Sequence, residues 1–236
     1  YYRMHEDVPL VVPEINPEDI RKHKGIIANP NCSTIIMALP LFPLHKKFGV
    51  KRVVATTYQA ASGAGAVAMD ELIRETAAHI EGEPFKRTVI PHPYAFNLFP
   101  HNSPMTESGY CEEEIKMVKE TRKIFHDDGI RVTATCVRVP VLRAHSEALN
   151  VEFSREVSPE EIYETLRGAE GVEIFEDRSQ NRWPMPLDVS GKDPVLVGRV
   201  RRDQSQPNTL DLWVVGDQIR KGAALNAVQI AEKLFN

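Results

Sequence analysis

IRVTATCVRVPVLRAHSEALNVEFSREV, residues 130–157, decides the fold class. Its two halves, IRVTATCVRVPVL and SEALNVEFSREV, are both rich in β-branched residues and follow one another with no helical segment between them. A parallel sheet built from strand–helix–strand units does not read this way. Upstream, KRVVATTYQ (51–59) predicts a strand, and GAVAMDELIRETAAHI (65–80) predicts a helix with Val67, Leu72, Ile73 and Ile80 on one face. CEEEIKMVKETRKIF (111–125) predicts a second helix, with acids crowding its first turn and bases its last, as the helix dipole favours. Downstream come a helix opened by Ser158 with Glu161 at the third position, a strand in VEIFE (172–176), a hairpin from VLVGRVRRD and TLDLWVVGD, and a final helix within IRKGAALNAVQIAEKLF. In that last helix Ala224, Val228, Ala231 and Phe235 share an apolar sector. Helices mixed with adjacent strand pairs imply an α+β fold: a mixed or largely antiparallel sheet covered on one face by helices.

Toward the N-terminus, VPLVV (8–12) and GIIANP (25–30) read as two short strands joined by a polar, Pro-rich connection. NPNCSTIIMALP (29–40) then opens a buried helix running from Cys32 to Phe48. Asn31 and Ser33 are its N-cap candidates, Gly49 its terminator, and Pro40 is expected to bend or end it. Residues 84–109 carry Pro84, Pro91, Pro93, Pro100 and Pro104 and read as an extended loop.

With 236 residues, 42% of them hydrophobic, the chain can bury a sizeable core. Its net charge is −4 with Lys and Arg dispersed, so no basic stripe points to nucleic acid and no polybasic block to an anionic membrane. The apolar run from Ile35 to Leu44 is broken by Pro40 and Pro43 and falls short of the ~20 residues of a bilayer span. Cys32, Cys111 and Cys136 form no CxxC pair, and an odd number argues against a secreted disulfide framework, so a cytoplasmic setting is expected. The opening YYRMHEDVPL has neither an initiator Met nor a signal-peptide pattern and reads as a cut inside a domain.

Cys32 poses the functional question. A thiol in the first turn of a helix meets unpaired N–H groups and the positive end of the dipole, which favour the thiolate. The alternative is a small buried hydrophobe beside a helix cap. Local sequence leaves both open.

NPNCST closely resembles the active-site segment of the aspartate-β-semialdehyde dehydrogenases. RMHEDVPLVVPEIN, TYQAASGAGA, NLFPHN, EEEIKMVKET, CVRVPVLRAHSE and GAALNAVQIAE continue the resemblance in the family's order and approximate spacing. It implies an enzyme that reduces L-aspartyl 4-phosphate with NADPH to L-aspartate 4-semialdehyde, releasing phosphate, on the route to lysine, threonine and methionine. It implies a homodimer or tetramer, with small molecules as the other partners. Cys32 matches the nucleophile that forms a thioester. His145 matches the acid–base residue, with His101 its rival, and Gln59 the glutamine that orients the reacting groups. Arg138 matches the arginine for the α-carboxylate. Glu113 and Lys116, one helical turn apart, match residues that meet the ammonium and the phosphate, with Glu112 or Glu114 in reserve if the register slips by one. Asn31 and Arg3 match further phosphate contacts, although Tyr2 stands where the family has phenylalanine.

SGAGAVA contains GxGxxA, but it does not open a βαβ unit, and Glu83 lies in a polar turn rather than closing a second strand, so a dinucleotide fingerprint is rejected. The family instead places this loop beside the nicotinamide. That makes Ser62 and Gly63, with Asn226 on the last helix, the cofactor-contact candidates. The resemblance divides the chain into residues 1–31, the end of a Rossmann domain; 32–216, the catalytic and dimerisation domain; and 217–236, a helix packing back on the first part. On that reading most of the nucleotide-binding domain lies outside the sequence. NADP(H) is then expected for the complete protein and not firmly for this piece, and the last helix exposes its apolar face. Two other readings stand: the related N-acetyl-glutamyl-phosphate reductase, which uses the same thiol chemistry, and a truncated, non-catalytic dimerisation module.

Overall fold

The computed structural model describes residues 1–235. In chain order the elements are α1 (Cys32–Phe48), β1 (Val50–Gln59), α2 (Ala66–Glu81), β2 (Phe99–Pro100), α3 (Glu112–Phe125), β3 (Arg131–Arg138), β4 (His145–Phe153), α4 (Pro159–Arg167), β5 (Val172–Ile174), α5 (Pro186–Val189), β6 (Val195–Arg202), β7 (Thr209–Gly216) and α6 (Leu225–Phe235). Seven strands form one mixed sheet in the order β2-β3-β1-β4-β7-β6-β5. β1 runs parallel to β3 and antiparallel to β4, so the two consecutive strands of residues 130–157 lie on either side of β1 instead of pairing with each other. In this register Gln59 faces Arg138, and Tyr58 faces Ser146 next to His145. Three polar side chains from distant sequence segments thus arrive at one end of the sheet. No helix among the described residues is long and apolar enough to cross a membrane.

The helices α1, α3 and α4 cover one face of the sheet, as the order of elements implied. α1 is the buried one, with Ile35, Ile36, Met37, Leu39, Leu41, Leu44 and Phe48 all in the core. It runs through both Pro40 and Pro43 to Phe48, where Gly49 closes it at φ 69°. Pro40 therefore does not end the helix. An interior proline costs about 3 kcal/mol or more, whereas each fully buried Leu or Ile contributes ~1.5–3 kcal/mol, so the packing outweighs the lost N–H groups.

Three sequence expectations change. VPLVV is buried and GIIANP is buried only at Ala28 and Pro30, and the two meet at one parallel bridge, Leu10 with Ala28, because Pro9 and Pro13 cannot donate to a ladder. VEIFE contributes a strand of only Val172–Ile174. The last helix opens with a π turn at Arg220–Ala224 ahead of α6, with Asn226 and Ile230 facing inward, whereas the exposure of Ala224, Val228, Ala231 and Phe235 agrees with expectation. Ile230 packs on Val11 and Ile20, which joins α6 to the N-terminal segment.

α2 departs furthest from its sequence pattern. Val67, Ile73 and Ile80 are 61%, 53% and 71% exposed, and the side chains turned inward with Leu72 are Ala68, Glu71 and Glu75. The apolar periodicity misled because the neighbour of α2 is a loop with unpaired backbone donors. Glu71 accepts hydrogen bonds from the backbone N–H groups of Thr88, Val89 and Ile90 and from the Thr88 hydroxyl. Glu75 accepts from the N–H of Tyr94 and pairs with Arg87 at 2.7 Å. Two carboxylates replace a strand partner for residues 87–95 and fix the Pro-rich segment on the molecule.

These bonds outweigh the effect of burial and hold the Glu71 carboxyl down to about 2. Its folded-state value lies below the unfolded one of about 4.3, so the stabilisation is complete above that pH and is lost as pH falls through it toward about 2. A difference of this size corresponds to about 3 kcal/mol. Glu71→Gln is expected to lower stability at neutral pH by roughly 1–3 kcal/mol and to flatten its dependence on acid. Urea denaturation at a series of pH values checks this, and an unchanged midpoint at neutral pH contradicts it.

Candidate active site

The site begins at the first turn of α1. Asn31 is its N-cap, with Oδ1 accepting from the N–H groups of Ser33 and Thr34 at 3.0 and 3.2 Å, so Cys32 is the first helical residue. The other half of the Asn31 amide, Nδ2, donates to Glu113 Oε1 on α3 at 2.8 Å. Gln59, at the end of β1, donates to the same carboxylate oxygen at 3.1 Å and to Ser33 Oγ at 3.0 Å. Burial alone would raise the Glu113 carboxyl. The bonds from Asn31 and Gln59 and the neighbouring His101 and Lys116 outweigh it and hold the group below the usual range.

Glu113 is the member of the acidic triplet that reaches the site. Glu114 instead accepts from the N–H groups of Cys111 and Cys136, a capping role, and Glu112 is exposed. Lys116 lies on the same face of α3, 3.4 Å from Glu113 Oε2, a long contact that leaves its ammonium free to bind a ligand.

His145, at the start of β4, accepts the Ala60 N–H at Nδ1 over 3.0 Å. This assigns its ring proton to Nε2, which is buried and has no partner in the chain. Burial and the nearby Arg138 push its pKa down to about 3, so the ring is neutral and offers one N–H. Arg138 is buried and makes two long hydrogen bonds of 3.4 Å, to Asn102 Oδ1 and the Ala60 carbonyl. Gly63 shows how closely these groups converge. A Cβ built there would stand 3.0 Å from His145 Nε2 and 3.2 Å from Arg138 Nη1. His101 also reaches the site, but its Nδ1 is engaged by the hydroxyl and the N–H of Ser103.

Cys32, Gln59, Gly63, Glu113, Arg138 and His145 line one cavity of about 650 Å³. Arg3, Asn31, Ser62, His101 and Lys116 reach its wall as well. Arg3 is held by the Asn29 carbonyl at 2.9 Å and by Glu120 at 3.4 Å. Of the candidates named from sequence, Asn226 does not line it. It is buried behind, giving Nδ2 to the Val11 carbonyl and Asn29 Oδ1 and taking a bond from Lys221.

The thiol is not held as an anion in this state. Burial first, then the charge of Glu113, push its pKa up to about 12, and the Ser33 N–H at the helix start offsets only part of this. The helix terminus is present, but desolvation wins over it.

Several contributors escaped the sequence reading. Glu120 accepts the Asn31 N–H at 2.6 Å and holds Arg3, and its spacing of seven from Glu113 on the same helix face was a usable signal. Gln218 donates to Ser62 Oγ and accepts the Ala144 N–H, contacts that no local pattern announces. Gly222, in the π turn, packs so closely on α1 that a Cβ there would lie 2.9 Å from Cys32 Cβ.

A family model described as "Semialdehyde dehydrogenase, dimerisation domain" matches residues 41–221. The aspartate-semialdehyde dehydrogenase of Synechocystis sp. is 59% identical over 233 residues, which covers 99% of this chain and 69% of that protein. Among solved structures, aspartate semialdehyde dehydrogenase II of Vibrio cholerae complexed with ASA superposes with a TM-score of 0.96 at 46% identity, covering 99% of this chain and 70% of that one. The enzyme of Candida albicans with NADP superposes with a TM-score of 0.73 at 27% identity, covering 99% of this chain and 68% of that one. The chain belongs to the aspartate-semialdehyde dehydrogenase family of oxidoreductases.

Gly63→Ala is expected to crowd His145 and Arg138 while leaving the fold intact. Overpacking of this kind costs about 1–3 kcal/mol, or roughly tenfold in affinity for each 1.4 kcal/mol. The readout is the rate of Cys32 alkylation by iodoacetate relative to iodoacetamide, which reports carboxylate binding by Arg138. The ratio should fall about tenfold, and a ratio equal to that of the wild type contradicts the crowding.

Proposed function

We propose that the protein catalyses the NADPH-dependent reductive dephosphorylation of L-aspartyl 4-phosphate to L-aspartate 4-semialdehyde through a thioester on Cys32, a step of lysine, threonine and methionine biosynthesis. One observation carries this reading: the Arg138 guanidinium and the unpartnered His145 Nε2 converge over Gly63 in the same cavity as the Cys32 thiol. Cys32 attacks the acyl carbon, the bond to phosphate breaks, and the acyl group rests on sulfur, so one difficult displacement becomes two easier ones. His145, neutral with its proton on Nε2, donates to the oxygen on which charge develops. Gln59 orients the reacting groups through its bonds to Ser33 and Glu113.

Arg138 takes the α-carboxylate, for which its planar fork is suited. Glu113, held ionised, takes the α-ammonium. Lys116 and Arg3 meet the phosphate, and Asn31 fixes the helix start beside it. A free ammonium facing Glu113 favours aspartyl phosphate over an N-acetylated substrate.

The wall offers small residues to a cofactor ring: Gly63, with Ser62 beside it, and Gly222 and Ala223. The Candida albicans relative, solved with NADP, agrees in kind. NADPH, when bound, supplies the hydride that reduces the thioester carbonyl. Asn226 serves this end from behind by holding Asn29 at the wall.

Residues 1–31 are assigned to the end of a nucleotide-binding domain, 32–216 to the catalytic and dimerisation domain, and 217–236 to the helix that packs on the first part. The contact of Ile230 with Val11 and Ile20 supports that last assignment. The sheet face not covered by α1, α3 and α4, where Tyr58 and Trp213 lie 5.6 Å apart, is assigned to self-association as a homodimer or a tetramer built from it. A cytoplasmic location agrees with three free thiols.

Cys32→Ser is expected to abolish NADPH formation from semialdehyde and phosphate, with a loss of several orders of magnitude in kcat. Turnover within about tenfold of the wild type contradicts the assignment. Glu113→Gln should raise KM more than it slows Cys32 alkylation; the reverse pattern makes Glu113 a support of the nucleophile and not a substrate contact. Tyr58→Glu should shift the sedimenting species toward the monomer, and an unchanged mass places the interface elsewhere.

A further inference from the structure

Lys123, near the end of α3, has no part in the reaction outlined above, yet its ammonium is fully engaged. Nζ donates to the carbonyl of Arg3 at 2.8 Å, to that of His5 at 2.8 Å and to that of Val8 at 2.9 Å. An ammonium carries three N–H donors, so all of them go to the backbone of one short segment and none is left for a ligand. The segment has little to hold it otherwise. Its only regular structure is a single 3₁₀ turn over Tyr2–Met4, none of whose residues is buried.

What this segment carries is Arg3. The guanidinium is held by the Asn29 carbonyl at 2.9 Å and by Glu120 Oε1 at 3.4 Å, and 33% of the side chain stays accessible where it lines the cavity. The other oxygen of Glu120 takes the Asn31 N–H at 2.6 Å, so the guanidinium and the residue preceding Cys32 share one carboxylate. These contacts orient the head of the side chain but do not place its backbone. Lys123 does, by gripping the carbonyl of the same residue. A long side chain meets a ligand only as accurately as its Cα is placed.

The spacing along α3 matches this division of work. Glu113, Lys116, Glu120 and Lys123 follow one another at steps of three, four and three, which puts them on one stripe of the helix with alternating charge. The first pair lines the cavity. The second pair holds the segment that carries Arg3.

We propose that Lys123 is a positioning residue for the anion subsite. By drawing the carbonyls of residues 3, 5 and 8 around its ammonium it holds Arg3 where the guanidinium can bind, together with Lys116, the phosphate group of the substrate or free phosphate. Lys123 touches neither and acts only through Arg3. The proposal rests on the reading of Arg3 as a phosphate contact, and the arms of the test separate the two.

The experiment measures how well inorganic phosphate protects Cys32 from iodoacetamide, with each protein referred to its own rate without phosphate. In Lys123→Met, which keeps the stem and loses the ammonium, the half-protecting concentration is expected to rise about tenfold, as for a misplaced binding group. Arg3→Met should raise it at least as much. The double variant should then be no worse than Arg3→Met alone, because a residue that acts through another has no effect once the other is gone. An unchanged value in Lys123→Met overturns the proposal. So does a double variant in which the two effects multiply, since that makes Lys123 an independent source of positive charge. Absence of protection in the wild type, or an unchanged value in Arg3→Met, refutes the phosphate role of Arg3 itself, and the proposal falls with it. Should Lys123→Met not fold, Lys123→Gln takes its place with the same expected and contradicting results.

Discussion

One amide side chain holds the site together. Asn31 caps α1 with its oxygen and donates its nitrogen to Glu113 on α3, while Gln59 brings the end of β1 to the same carboxylate. A buried carboxylate is costly unless its lone pairs are filled, so these three elements fit together only in the arrangement that fills them. The backbone of Asn31 is fixed as well, by the carboxylate of Glu120. Cys32 follows directly in the chain and has no freedom of its own. Its place is set by two carboxylates of α3 and by Gly222, which closes on it from the π turn.

The electrostatics of the resting site are restrained. Burial and acidic neighbours keep the thiol protonated, and burial with Arg138 keeps His145 neutral. Charge is held in Glu113, in the buried Arg138 guanidinium and in the partly exposed Lys116. This pattern suits a ligand that carries its own opposite charges, and it keeps a reactive anion from standing open in an empty cavity. Nucleophilicity then depends on the complex rather than on the helix terminus alone.

Much of this could be read in the sequence. The strand pair of residues 130–157, the capped helix at Glu112–Phe125 and the hairpin of β6 and β7 all carry local signals that match their final environment. Cys32, Gln59, Glu113, Arg138 and His145 were named from motifs and do meet in one cavity. What failed did so where the environment, not the local pattern, decides. α2 shows apolar periodicity toward solvent because Glu71 and Glu75 are needed to serve loop donors. α1 runs through two prolines because its residues from Ser33 to Leu41, with Leu44 and Phe48, are buried in the core. The ionisation of Cys32, which the local sequence leaves open, is set by desolvation, a property of the packed site that no six-residue motif contains.

The most direct measurement is acid-quenched peptide mass spectrometry after brief exposure of the protein to aspartyl phosphate without a nicotinamide cofactor, a half-reaction that needs only the chain's own residues. An aspartyl adduct confined to the peptide containing Cys32, formed as phosphate is released, is the expected result. Phosphate release with no adduct, or an adduct on Cys111 or Cys136, would contradict the role given to Cys32.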